Sequence, residues 1–383
     1  MPRRSATMLA ATLLLIGLLC ASVLMRVPYT EMSPGPTYNT LGEQEKKSGG
    51  SVPVIAISGH ETYPTSGHLN MTTVQVTGAK YEPSLVSAVI GWLRKDVLVV
   101  PHDNVYPKGQ TDKEAQQENA EQFATSEDSA KTAALKQLGI PVGTQIVVSS
   151  VVAGGPSEGK LHAGDRIVAV DGTPVTAKEQ VAALVTKHKP GETVEFTVVP
   201  HTAAAGTGGS AGTNGSAGTN GSAGTNGTAT DKAAEKKVTV TTGKASDGRA
   251  IVGILPGTDH TYPFTIDIGL QDVGGPSAGL MFSLGIVDKL TPGDLTGGKF
   301  VAGTGTISDE GEVGPIGGIQ MKLIAARDKG AEYFMTPAEN CTEASKGTPG
   351  GLTLVKVDSL GEALKALDQI RSGNTSALPS CPK

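Results

Sequence analysis

The sequence predicts a multidomain α+β protein led by an apolar helix of membrane length. Three observations lead there. Residues 5–25 are free of charge and rich in leucine. Downstream, short runs that alternate apolar and polar residues are interleaved with stretches of helical period, and neither type dominates. A hexapeptide repeat, Gly-Ser-Ala-Gly-Thr-Asn from Gly209 to about Thr228, interrupts this pattern with sequence too polar and glycine-rich to pack.

The apolar run is 21 residues long and follows Arg3 and Arg4. A bilayer span takes about 20 such residues. A cleaved signal peptide has the same outline. Cys20-Ala21-Ser22 is a poor cleavage site, and Leu19 spoils Gly17-Leu18-Leu19-Cys20 as a lipoprotein box, where that position takes a small residue. The expectation is an uncleaved single-pass anchor, residues 1–26. Positive charge on its N-terminal side puts the N-terminus in the cytoplasm and everything after Arg26 on the extracytoplasmic side of the cell membrane.

Residues 27–125 read as a small α/β platform. Pro34-Gly35-Pro36 breaks the chain. Residues 51–58 alternate and 69–77 are rich in β-branched side chains, so both predict strands. Residues 82–95 predict a helix and 111–138 a long, polar one. His60, His68 and His102 are scattered rather than convergent, so neither metal nor cofactor is expected.

The next region carries Gly154-Gly155-Pro156-Ser157, Gly159-Lys160-Leu161, Ala163-Gly164-Asp165-Arg166-Ile167-Val168 and Val170-Asp171-Gly172. Gly164-Asp165 and Asp171-Gly172 are turn signals around a buried strand at 167–170. Residues 177–188 predict a helix and 192–199 a strand. Over 126–200 this succession resembles bacterial PDZ domains, β-sandwich-like modules with helices. The resemblance implies capture of a peptide ligand as an added strand; a rigid spacer with an occluded groove is the alternative. The repeat that follows suits an interdomain linker, yet 193–199 and 237–242 alternate as paired strands do. The expectation is a PDZ domain over 126–243 whose closing hairpin has a loop expanded at 206–230, because loop-closure entropy grows only logarithmically with length.

Gly274-Gly275-Pro276-Ser277-Ala278-Gly279 sets a serine at a tight turn before a predicted helix, 277–290, with Leu280, Leu284 and Val287 on one face. Backbone N–H groups at such a helix start can stabilise an oxyanion. Lys322 lies 45 positions on, in a predicted helix over 319–329 closed by Gly330. It shares an apolar face beside Leu323. Burial there would lower its pKa, and a neutral amine can serve as base to a serine nucleophile.

Residues 253–341 resemble the peptidase domain of the Lon family of serine–lysine peptidases. Four blocks in order carry the likeness: Gly275-Pro276-Ser277-Ala278-Gly279; Gly303-Thr304-Gly305-Thr306-Ile307; Gly311-Glu312-Val313-Gly314-Pro315-Ile316-Gly317-Gly318-Ile319-Gln320-Met321-Lys322; and Pro337-Ala338-Glu339-Asn340. The resemblance implies an α+β proteolytic domain, 244–372, with Ser277 as nucleophile, Lys322 as base, Thr304 bonding the lysine amine, and Gly275 and Pro276 supporting the turn. It also implies polypeptide substrates, unfolded or membrane-associated, and a homo-oligomer, hexameric in arrangement. Two departures stand out. Gly274 occupies the place where ATP-dependent relatives often carry an acid, a role left empty or passed to Asp272. No Gly-x-x-x-x-Gly-Lys-Ser/Thr phosphate loop occurs, and Gly297-Gly298-Lys299 is followed by Phe300. The chain is similar instead to a smaller, membrane-anchored, PDZ-containing branch that works without ATP.

Of the three cysteines, Cys20 lies in the anchor, while Cys341 and Cys381 lie in the exported part, where oxidation is permitted. A bridge between them, pinning the 373–383 tail, is expected; two free thiols are the alternative. The net charge of −5, the pI near 5.8 and the 4% aromatic content exclude a nucleic-acid partner. The expected function is an ATP-independent Ser–Lys endopeptidase, with residues 264–273 as an edge that pairs with substrate. A non-catalytic PDZ scaffold or adaptor at the membrane is the alternative.

Overall fold

The computed structural model describes residues 3–45, 49–201, 235–270 and 273–382. They form two compact units, Met1–Pro141 with Phe264–Lys383, and Val142–Pro263. In sequence, the second unit is an insertion within the first. The hexapeptide repeat and Asp272 fall outside the described residues.

The first unit is built on a mixed six-stranded sheet. Its strands are β1 (Tyr29–Asn39), β3 (His68–Val76), β4 (Leu98–Pro101), β11 (Phe300–Gly303), β12 (Tyr333–Pro337) and β13 (Thr353–Val357). The order is β13-β12-β11-β3-β1-β4. β3, β11, β12 and β13 run parallel to one another, while β1 pairs antiparallel with both β3 and β4. A smaller antiparallel pair joins β2 (Ile55–Ser58) to β10 (Thr265–Ile268).

The sequence reading of this region is corrected in three respects. The 27–125 segment is no separate platform, because Leu69 of β3 pairs with Val301 of β11 and makes one sheet of both halves. Pro34-Gly35-Pro36 does not break the chain: it sits inside β1 as an irregularity that shifts the register between Pro34 and Thr37. The expected strand at 51–58 is two, Ser51–Pro53 and β2.

Helices cover the sheet. α3 (Asp112–Gln137) starts at Thr111, whose hydroxyl accepts from Glu114 N–H while the Glu114 carboxylate accepts from Thr111 N–H, a reciprocal cap. α5 (Gly279–Leu290) is buried on every side except at Lys289, which explains why its apolar residues exceed one face. It packs against α3, where Phe123 and Phe282 meet edge to face at 5.8 Å. α6 (Ile319–Asp328) and α7 (Cys341–Lys346) pack on the sheet face that carries Ala302, Phe334 and Leu354, opposite α5, while α8 (Leu360–Ser372) lies beside α5. Ile319, Leu323, Ala326, Phe334 and Leu354 form a core with Cys341 and Cys381. Those two cysteines are joined by a disulfide. The tail it holds also receives Lys356 N–H at the Pro379 carbonyl, 2.9 Å away.

At the N-terminal end, α1 (Arg3–Leu24) is followed by β1, and α2 (Leu85–Leu93) lies beside the end of α1. The segment Thr7–Leu24 has a mean hydropathy of 2.4 and is uncovered by the rest of the chain.

The second unit is an antiparallel sheet of β5 (Gly143–Val151), β6 (Arg166–Val170), β7 (Thr193–Val199), β8 (Lys236–Thr241) and β9 (Ile254–Thr261), with α4 (Lys178–Val185) packed on it. Its order is β8-β7-β6-β5-β9. Val148, Leu161, Ile167, Val170, Phe196 and Val240 fill the core. Val194 to Val198 pair with Val240 to Lys236, so the strands on either side of the repeat are hairpin partners. The unit's limits differ from the expected 126 and 243. Residues 126–137 belong to α3, which packs on α5, and β9 pairs with β5 along its whole length, from Ile254↔Val151 to Thr261↔Gly143.

Candidate active site

Three loops of the first unit converge on Ser277. The first is the turn before α5. Gly275 adopts φ of 83°, a region closed to most side chains, and the turn it makes puts Ser277 two residues ahead of the helix. A Cβ at Gly279 would meet Ile307 Cγ2 at 2.6 Å and Ser126 Oγ at 2.9 Å, so only glycine lets the helix start here. The second is the segment leaving β11, at the carboxyl end of a parallel strand. It carries Thr304, fully buried, with its N–H bonded to the Met335 carbonyl. The third is the loop before α6, pinned by Asn340, whose amide accepts from Ile316 N–H and donates to Ile316 C=O, both at 2.9 Å.

Lys322 projects from the first turn of α6 into this junction. Its side chain is 1% exposed. Nζ lies 2.8 Å from Ser277 Oγ and 2.9 Å from Thr304 Oγ1. No carboxylate bonds it among the described residues, and burial pushes its pKa down from 10.5 to about 7. The hydrogen-bond directions are constrained. Thr304 Oγ1–H donates to the Ser277 carbonyl at 2.9 Å, so its oxygen accepts from Lys322. When the amine is neutral, its lone pair is left to face Ser277 O–H.

Ser277 itself is half-buried and opens onto a cleft of ≈ 880 Å³ lined by Met32, Val74, Tyr106, Asn119, Pro276 and Ile316, among others. Among the described residues, no backbone carbonyl accepts from the N–H of Ser277 or Ala278.

The structure thus brings together Ser277, Lys322, Thr304, Gly275 and Pro276, and sets Cys341 and Cys381 in the core beneath α6. Sequence reasoning missed the contribution of α3. The Asn119 carbonyl accepts from Gly275 N–H at 2.8 Å, and Ser126 Oγ donates to the Pro276 carbonyl at 2.9 Å. α3 also accounts for Gly274: a Cβ there would lie 2.9 Å from Asn119 Cβ, so the position of the missing acid is filled by the helix. The signal present in the sequence was the spacing of Asn119, Phe123, Ser126 and Ala130 on one face of α3.

Two family models match the chain: a PDZ domain over residues 116–200, and the Lon protease (S16) C-terminal proteolytic domain over 268–368. The chain is 34% identical over 109 residues to the Lon protease of Buchnera aphidicola subsp. Schizaphis graminum, covering 28% of this chain and 14% of that protein. It is 33% identical over 137 residues to Lon protease 1 of Thermus thermophilus, covering 34% and 17%. It is 36% identical over 100 residues to the Lon protease of Brucella suis biovar 1, covering 25% and 12%. The chain therefore spans less than a fifth of the length of these relatives. Among solved structures, the PDZ domain of an SdrC-like protein from Listeria monocytogenes aligns at 17% identity and a TM-score of 0.19, covering 29% of this chain and 84% of that one. A protein from Geobacillus thermodenitrificans, GtR34C, aligns at 20% identity and 0.19, covering 29% and 93%. The chain carries a Lon-type proteolytic domain and a PDZ domain. The proteolytic unit extends beyond its matched segment to β1, β3, β4 and α3, and the PDZ sheet extends past residue 200 to β8 and β9.

Proposed function

We propose that this chain is an ATP-independent serine endopeptidase, with Ser277 as nucleophile and Lys322 as its base. One observation carries the proposal: a buried amine, with its pKa lowered to about 7, lies 2.8 Å from a serine hydroxyl that faces an open cleft. The neutral Lys322 amine takes the Ser277 proton as Oγ attacks the scissile carbonyl. The N–H groups of Ser277 and Ala278, at the start of α5, receive the developing oxyanion. Collapse of the tetrahedral intermediate breaks the C–N bond, and the Lys322 ammonium returns the proton to the leaving amine. Water then attacks the acyl–serine ester with Lys322 again as base, and the acid product leaves with Ser277 restored. Thr304 holds the amine in line throughout.

No phosphate-loop motif occurs in these 383 residues, which supports independence from ATP. α1 anchors the chain in the cell membrane with Arg3 and Arg4 inside, so that both units lie on the extracytoplasmic side. The PDZ unit captures peptides at β9, which pairs only with β5 among the described strands and packs beside α4. Substrates are unfolded or membrane-associated polypeptides, and the working form is a homo-oligomer.

The test uses the full chain in detergent, intact and as Ser277→Ala and Lys322→Ala. Each is incubated with an unfolded protein without ATP, and the products are read by mass spectrometry. Cleavage by the intact chain, lost in both variants, is expected. Equal cleavage by all three, or none by the folded intact chain, would refute the assignment.

A further inference from the structure

A surface helix in water turns an apolar stripe inward and polar residues outward. α2 lacks the polar side. Its inward contacts are made at Ala88 and Gly91, both buried. A side chain at Gly91 would meet Val99 Cγ2 at 2.6 Å, so the helix lies pressed against β4. Outward it presents Val89, Ile90, Trp92 and Leu93, which are 41%, 52%, 53% and 82% exposed. No charged residue occurs within Leu85–Leu93. A contiguous exposed apolar face marks a surface with a partner.

The position of α2 identifies that partner. Leu85 N–H donates to the Met25 carbonyl at 2.9 Å, and Val27 N–H to the Pro83 carbonyl at 3.0 Å. The first turn of α2 is thereby tied to the last turn of the membrane-length helix α1. With α1 through a bilayer, α2 lies at the level where α1 leaves it. Tyr29 and Trp92 meet there edge to face, with ring centroids 5.4 Å apart. Tyrosine and tryptophan are the residues that favour the lipid–water boundary. Arg94, just past the end of α2, is paired with Asp96 at 2.6 Å. The apolar face carries the argument.

We infer that α2 is an interfacial helix, its Val89–Ile90–Trp92–Leu93 face set into the headgroup and upper acyl region of the leaflet from which α1 emerges. The inference rests on the reading of α1 as the anchor. It also fixes the height of the cleft. β4 lies under α2, and Val76, on the cleft wall, belongs to β3, two strands further on and about 10 Å away at ordinary strand spacing. The cleft then opens close to the lipid surface, which selects unfolded segments of proteins held at the same membrane.

Trp92 is the single tryptophan of the chain, so the intact protein carries its own probe. The full chain is reconstituted in phosphatidylcholine–phosphatidylglycerol vesicles, with or without bromine on the acyl chains. Flotation reports anchoring; quenching of Trp92 by brominated lipid and by aqueous acrylamide reports its surroundings. Expected are co-flotation, strong quenching by brominated lipid and weak quenching by acrylamide. An Ile90→Asp, Leu93→Asp double variant shifts the balance between seated and lifted helix on the order of 100-fold, so it loses the lipid quenching yet still floats. Co-flotation with Trp92 open to acrylamide overturns the inference and leaves the anchor intact. Shielding from both quenchers overturns it in favour of a second protein copy on this face. Failure to float refutes the anchor, and the inference with it.

Discussion

Replacing Lys322 by methionine tests the central electrostatic argument without any measurement of activity. Methionine is one atom shorter, keeps the apolar stem and cannot take a proton. In the folded chain the lysine pKa is depressed from 10.5 to about 7 by burial. The unfolded chain therefore holds one more proton than the folded one between those values, and the stability of the wild type rises with pH across that window. At about 1.36 kcal/mol per unit, the contribution is complete above pH 10.5 and falls away by roughly 5 kcal/mol as pH drops to about 7. The variant lacks this slope. It also loses the bonds from Nζ to Ser277 and Thr304, a pH-independent change of about 1 kcal/mol each. Urea unfolding of both proteins in detergent, at unit steps from pH 6 to 10, gives the difference. We expect it to change by roughly 4 kcal/mol between pH 7 and 10. Parallel stability curves would mean that Lys322 keeps its ordinary pKa when folded, and the base assignment would fall with the argument. The same titration should appear in kcat/KM as an acid limb with its midpoint near the pKa of about 7.

Thr304→Val removes the acceptor that orients the buried amine and leaves a lysine N–H unpaired; we expect kcat/KM for a peptide substrate to fall about 10- to 100-fold, with the fold unchanged by circular dichroism. Gly274→Asp places an acid directly before the Gly275-Pro276-Ser277 turn, but its Cβ would sit 2.9 Å from Asn119 Cβ. It should lower activity and cost about 1–3 kcal/mol, read as a reduced urea midpoint. Replacing Cys341 and Cys381 together by serine opens a crosslink across 40 residues and should cost about 4 kcal/mol on the loop-entropy estimate. An equal midpoint with and without reductant would show that the bridge contributes nothing.

The parts of this site that were legible in the sequence are those made by short contiguous blocks. Ser277 at its turn and Lys322 on an apolar helix face each follow from neighbours within a few residues, while Thr304 was reached only through the family resemblance. The support from α3 was not legible, because its contacts join residues 150 apart, as Ser126 and Pro276 show. The polar composition of α3 also argued for a solvated helix, although Ala115, Phe123, Ser126, Ala130 and Ala134 bury one side of it. The same applies to the sheet. Residues 69–77 were readable as a strand, but nothing local shows that its parallel neighbour begins at Phe300. Pro34-Gly35-Pro36 misled for a different reason: its turn chemistry was read as a break in the chain, whereas tertiary pairing absorbs it as an irregularity within β1.

The insertion of one unit inside the other has a consequence for biosynthesis. β3 ends at Val76 and its partner β11 begins at Phe300. At roughly 5–20 residues per second, the ribosome needs on the order of 10–45 s to make the intervening stretch. During that delay the contiguous residues of the PDZ unit, Val142–Pro263, can emerge and complete their own sheet. The sheet that positions Ser277 and Lys322 cannot close, because half of its strands do not yet exist. Assembly of the Ser277–Lys322 pair is thereby the last step in the folding of this chain, after the PDZ unit has had time to form.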